Sequence, residues 1–104
     1  MSELRVPRSV FDAEVQARRL DAGPEGVCLV RIGSRYFAVG DRCSHAEVSL
    51  SEGEVDPDEC WIECWKHGSA FSLVDGQPQS LPATEAVPVY GVSLDGDEIV
   101  VELP

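Results

Sequence analysis

Tyr36-Phe37-Ala38-Val39-Gly40-Asp41-Arg42-Cys43-Ser44-His45 and Cys64-Trp65-Lys66-His67-Gly68-Ser69-Ala70-Phe71 are the stretches on which the reading of this chain turns. Each holds a Cys followed within three residues by a His, and 18 residues separate the first pair from the second. One thiolate and one imidazole therefore share each short loop, and the four ligands alternate in type. Two sulfurs and two nitrogens suit a single tetrahedral metal, or a two-iron cluster in which the Cys bind one iron and the His the other. Zinc fingers usually place both Cys ahead of both His, so the alternating order weighs against a zinc site.

Outward from these loops, the chain reads as short strands with punctuation every few residues. Val27 to Ile32 is apolar and β-branched, Gly33-Ser34 fits a two-residue hairpin turn with Gly first, and Arg35 to Val39 returns as the partner that delivers Cys43. Glu54-Val55 and Trp61-Ile62-Glu63 flank a turn at Asp56-Pro57-Asp58-Glu59, and the second of them delivers Cys64. Phe71-Ser72-Leu73, a turn at Asp75-Gly76 and a return at Ser80-Leu81 suggest another hairpin. Val87 to Leu94, a turn at Asp95-Gly96, and Glu98 to Leu103 form a strong last one. Near the start, Leu4-Arg5-Val6 reads as a strand, Val10 to Arg19 as a helical turn or irregular lead-in, and Arg19-Leu20-Asp21 as the end of a second strand. The expectation is an all-β, antiparallel domain.

With 104 residues the chain is one domain, and its 43% apolar content fits a soluble globule. No stretch approaches the roughly 18 apolar residues of a membrane span, and the first residues lack an apolar signal core. These features lead us to expect a soluble, cytoplasmic protein. The net charge of −11 is uneven: residues 1–42 carry seven basic and six acidic side chains, whereas residues 43–104 carry thirteen acidic ones and a single base, Lys66. That balance argues against nucleic acid and anionic membrane as partners. It suits either simple solubility or docking on a basic patch. Of the two Cys outside the motif, Cys28 alternates with Val27 and Leu29 as a buried thiol would, and Cys60 reads as a half-exposed free thiol. A Cys28–Cys60 disulfide is the open alternative, though a cytoplasmic chain would normally keep both reduced.

The order Cys-x-His … Cys-x-x-His, with Gly68-Ser69 directly after the last ligand and the strand Tyr36 to Val39 running into the first loop, resembles the Rieske [2Fe-2S] proteins. The resemblance extends from about Leu4 to the end of the chain. It implies one [2Fe-2S] cluster, with Cys43 and Cys64 on the inner iron and His45 and His67 on the outer one. Such centres have reduction potentials of roughly −150 to +300 mV, above those of all-Cys plant-type ferredoxins. It also implies a Rieske-like antiparallel β-sandwich of three sheets, a single domain over residues 1–104, with a cluster-binding subdomain at about residues 41–83.

Further roles follow from the same resemblance. Gly68 would allow close backbone approach to the cluster, and Pro82 matches a proline-bearing covering loop. Ser69 stands where high-potential members use a hydroxyl to bond a bridging sulfide, whereas Phe71 replaces the Tyr that supplies a second donor. Val48 and Lys66 occupy the positions of a disulfide that those members carry, so that bond cannot form here. With two of three potential-raising devices missing, a low-to-intermediate potential is expected. Trp65, between two ligands, is expected to shield the cluster more than to contact a partner.

The function implied is that of a Rieske-type ferredoxin: a soluble, monomeric one-electron carrier and not itself an enzyme. Its expected partners are a flavin-dependent ferredoxin reductase and a terminal oxygenase, docking near His45 and His67. No Gly-x-Gly-x-x-Gly segment is present for a nicotinamide or flavin of its own. Two rivals remain open at this point: an accessory subunit of a nitrite reductase or of an iron–sulfur assembly system, and a zinc-stabilised interaction module.

Overall fold

The computed structural model describes residues 2–23, 25–43, 48–66, 68–79 and 85–103. His45, His67, Pro82 and the return leg expected at Ser80-Leu81 lie outside the described residues. Nine strands are described: β1 (Ser2–Pro7), β2 (Val15–Leu20), β3 (Val27–Ile32), β4 (Arg35–Gly40), β5 (Glu54–Asp56), β6 (Trp61–Glu63), β7 (Ala70–Ser72), β8 (Val89–Asp95) and β9 (Glu98–Leu103). Two short 3₁₀ turns, Arg8–Val10 and Leu50–Glu52, complete the regular elements, with no α-helix among the described residues.

All pairings are antiparallel. The larger sheet runs β1-β9-β8-β4-β3-β2 and the smaller runs β5-β6-β7. The larger one is two three-stranded halves joined by a short seam, for β4 meets β8 only at Ala38↔Tyr90 and Val39↔Val89. With the small sheet, this makes the three-sheet, all-β sandwich that the resemblance implied.

Local chemistry explains most of the turns. Gly33, at φ +61°, opens the two-residue turn between Ile32 and Arg35 as expected of Gly in the first place. At the last hairpin the register differs by one residue from the sequence reading. Asp95 pairs with Glu98, so the turn is Gly96-Asp97 and Gly96 takes the positive φ of +61°. Glycine again leads because the first turn position needs the left-handed region. That hairpin also starts later than expected, at Val89. Val87 is instead buried and donates its N–H to the Gly76 carbonyl at 2.9 Å.

The stretch from Val10 to Arg19 is corrected as well. The helical turn is confined to Arg8–Val10, and Val15–Leu20 is a full edge strand paired with β3 from Val15↔Ile32 to Leu20↔Val27. After β7, the chain returns beside it through one bridge among the described residues, Phe71↔Pro78.

β3 divides the interior. Val27 and Leu29 face a core shared with Phe11, Ala38, Ile99 and Val101. The alternate residues Cys28 and Val30 face a second core with Val39, Cys43, Leu50, Ile62, Cys64 and Phe71. Side chains alternate across a strand, so burial on both faces makes β3 the common wall of both cores. Its partner β4 follows suit, with Ala38 in the first core and Val39 in the second.

Candidate metal centre

Cys43 and Cys64 are the two expected ligands whose surroundings are described, and the fold brings them into one core. Both are buried, at 2% and 0% exposure, and neither is in a disulfide. Each begins a loop closed in the same way. The Cys43 N–H donates to the Val48 carbonyl at 3.1 Å, and the Cys64 N–H donates to the Ser69 carbonyl at 2.7 Å. In both, the bond spans five residues and gathers the ends of the ligand segment onto the core.

The two loops are held by different means. Below the first, Arg42 bridges Ser49 and the Leu50 N–H donates to the Asp41 carbonyl at 2.6 Å. Leu50 is fully buried beneath them, worth about 1.5–3 kcal/mol for a side chain of that size. Asp41 is fully buried too. Its Oδ1 accepts the Ser51 N–H at 2.9 Å and its Oδ2 accepts Arg19 Nη1–H at 3.1 Å.

The second loop extends the β6–β7 ladder, whose last pair is Glu63↔Ala70. The Gly68 N–H donates to the Cys64 carbonyl at 2.9 Å, with Gly68 at φ +73°. A glycine is suited to that conformation. Gly53, which sequence reasoning passed over, matters here in another way. It lies at an ordinary φ of −84°, but a Cβ built on it would strike the carbonyl oxygen of Glu63. Only a bare backbone lets the exit of the Leu50–Glu52 turn lie against the strand end that delivers Cys64. No local pattern announces such a contact, because it joins segments ten residues apart.

The remaining expected site residues fall into place unevenly. Ser69 is fully buried directly after the second loop, and Phe71 is fully buried in the core that holds both Cys. Trp65 is 56% exposed, which favours a surface contact over the expected shield. Lys66 beside it is exposed. Cys28 is buried in the same core; burial first, and then the charge of Asp41, push its thiol well above the ordinary value. Cys60, half-buried at the β5–β6 turn, has its thiol raised by burial, with Arg35 acting against the rise. The sequence left a Cys28–Cys60 disulfide open; none of the four Cys is in a disulfide.

A two-iron centre needs deprotonated sulfur donors sheltered from water, with hydrogen-bond donors beside them. Two buried Cys outside any disulfide, at the feet of like-built loops and with a buried Ser next to one, fit that need. An all-β domain that brings two Cys-based loops to one core fits the cysteine half of an iron–sulfur centre. The Rieske [2Fe-2S] domain matches residues 6–91, and the chain belongs to that family. It is 37% identical over 91 residues to the 3-phenylpropionate/cinnamic acid dioxygenase ferredoxin subunit of Shigella boydii, covering 88% of this chain and 84% of that one.

Among solved structures, it resembles the ferredoxin of carbazole 1,9a-dioxygenase from Nocardioides aromaticivorans, with a TM-score of 0.89, 31% identity and 97% of each chain covered. It also resembles a chain of a complex of reduced oxygenase and oxidised ferredoxin in carbazole 1,9a-dioxygenase, with a TM-score of 0.85, 35% identity, and 95% and 91% covered. The family implies one Rieske-type cluster, and the zinc reading gives way to it. No helix among the described residues is long and apolar enough to cross a membrane.

Proposed function

We propose that this protein is the electron carrier of an oxygenase system: it takes one electron from a flavin-dependent ferredoxin reductase and gives it to a terminal oxygenase. It is a carrier and not itself a catalyst. The observation that carries this reading is the pair of buried Cys, Cys43 and Cys64, outside any disulfide and at the feet of two loops closed by the same hydrogen bond. Its relatives support the choice of partner, since one is a dioxygenase ferredoxin subunit and another a ferredoxin in complex with its oxygenase.

In this reading Cys43 and Cys64 hold the inner iron, His45 and His67 hold the outer iron, and residues at about 41–83 form the cluster-binding subdomain. The bound cluster supplies a one-electron couple, and neutral His in place of two thiolates raises its potential. Gly68 lets the backbone approach, Ser69 raises the potential modestly, and Pro82 covers the site. Phe71 withholds the donor that a Tyr would bring, so the potential is low to intermediate. The partners dock near His45 and His67; Trp65 and Lys66, which precede His67 in the chain, are exposed.

Charge supports such docking. Arg5 pairs with Glu3, Asp95 and Glu98, Arg18 with Asp12, and Arg19 with Asp21 and Asp41. By contrast Glu54, Asp56 and Glu63 have no ion pair among the described residues, and Glu54 stands directly opposite Glu63. Like charges so placed repel, and a basic partner surface would relieve them. The protein works as a cytoplasmic monomer.

Electron paramagnetic resonance of the dithionite-reduced protein tests the reading. The expected result is a rhombic signal with an average g value below that of an all-Cys [2Fe-2S] centre. A silent, colourless protein holding zinc would overturn it. Electron transfer to the oxygenase should slow as salt is added.

A further inference from the structure

Asp41 is the one charged side chain that is fully buried among the described residues. A carboxylate removed from water persists only where partners satisfy it. Here they come from two separate parts of the chain. Oδ1 takes the Ser51 N–H at 2.9 Å, on the outgoing arm of the first ligand loop. Oδ2 takes Arg19 Nη1–H at 3.1 Å, from the edge strand β2. The same Arg19 nitrogen donates to Ser49 Oγ at 3.0 Å, and Arg19 Nε donates to Asp21 Oδ1 at 3.0 Å. The backbone of Asp41 is tied as well, its N–H to the Gly26 carbonyl at 3.1 Å and its carbonyl to the Leu50 N–H. A surface recess over this cluster is lined by Arg19, Glu25, Asp41, Arg42, Val48 and Ser49.

We propose that Arg19 and Asp41 form a compensated charge pair that positions the first ligand loop and sets the reduction potential of the centre which Cys43 helps to hold. This inference rests on the function proposed above. Asp41 is a positioning residue two places before Cys43, and Arg19 is its counter-charge. Reduction adds one negative charge to the centre, so an uncompensated carboxylate nearby opposes it and an uncompensated guanidinium favours it. The field of Asp41 is felt in the interior, for it adds to burial in raising the Cys28 thiol, and Cys28 shares its core with both ligand Cys.

The test is a redox titration of the holoprotein, followed by electron paramagnetic resonance, for Arg19→Met, Asp41→Asn and the double variant, with a thermal melt of each. Arg19→Met should lower the potential and Asp41→Asn should raise it, with the double variant lying between the two. Arg19→Lys, which keeps the charge, should restore the potential lost in Arg19→Met. A purely structural clamp would loosen the loop in both single variants and shift both potentials in one direction; that result would overturn the proposal, as would an unchanged potential in Arg19→Met. If Asp41→Asn fails to retain the cluster, the two Arg19 variants still decide, because that side chain is half-exposed. A wild-type protein without the rhombic signal would instead remove the electron-carrier reading itself.

Discussion

The Cys43 and Cys64 loops, proposed to hold one centre, share a closing hydrogen bond but are anchored by opposite means. The Cys43 loop depends on a buried carboxylate and on an Arg 22 residues away in the chain. The Cys64 loop is the end of a hairpin, held by strand register and by the bare backbone of Gly53 against Glu63. Local pairing is enough where the ladder runs directly into the loop. Where the chain leaves β4, its pairing with the returning arm is the isolated bridge Arg42↔Ser49, and charge and burial of Asp41 and Leu50 reinforce it. One loop should therefore respond to changes of charge, and the other to changes of backbone space.

The largest effect is expected from Gly53→Val. The added atoms meet the carbonyl of Glu63, so the strand end delivering Cys64 must move. We expect a loss of about 3 kcal/mol and reduced cluster content, measured by denaturant unfolding and by iron per chain. Full iron content would show that the second loop does not need this close approach.

Gly68→Ala probes the same loop more gently. A Cβ there meets nothing within 4 Å, so the cost is that of φ +73° alone, about 1 to 2 kcal/mol. Iron content should fall, by less than in Gly53→Val, because of the close backbone approach to the cluster proposed for Gly68. Full iron content would show that this approach is not needed.

Phe71→Tyr should come next. A hydroxyl that reaches a cluster sulfur would raise the potential by about 59 mV for each tenfold gain in the one-electron equilibrium, and one such step is the expected size. Should the potential hold while the melting temperature drops, the hydroxyl is buried without a partner, and Phe71 does not lie beside the cluster.

The smallest effect concerns Cys28. Its folded-state pKa lies well above the ordinary thiol value of 9.0, so above that pH the unfolded chain releases this proton while the folded chain keeps it. Stability from this group is therefore full below pH 9.0 and declines as the pH rises beyond it. Unfolding of Cys28→Ala and wild type across that range should show a shallower alkaline decline in the variant.

Much of this architecture can be read from residues that speak locally. Gly33-Ser34 announces its hairpin, and the alternation around Cys28 marks a buried strand. Cys43 and Cys64 stand out by their spacing from His45 and His67. β2 escaped because Arg18-Arg19 interrupt its alternation and its burial is only partial along the sheet edge. The last hairpin slipped by one place because Asp95-Gly96 looks like a turn dipeptide, whereas the pairing of Asp95 with Glu98 makes Gly96 the first turn residue. Gly53 and the Arg19–Asp41 pair were invisible for a different reason. Their roles exist only after segments distant in sequence have met.

The double-sided burial of β3 has a thermodynamic consequence. Val27 and Leu29 support one core while Cys28 and Val30 support the other, so melting either core strips one face of the strand that walls its neighbour. The domain should unfold as one cooperative unit, with the amide hydrogens of β3 among the last to exchange with solvent. A ligand held only by the folded state stabilises the entire cooperative unit by mass action. Occupancy of one small site would then be reported by amides at the far side of the molecule.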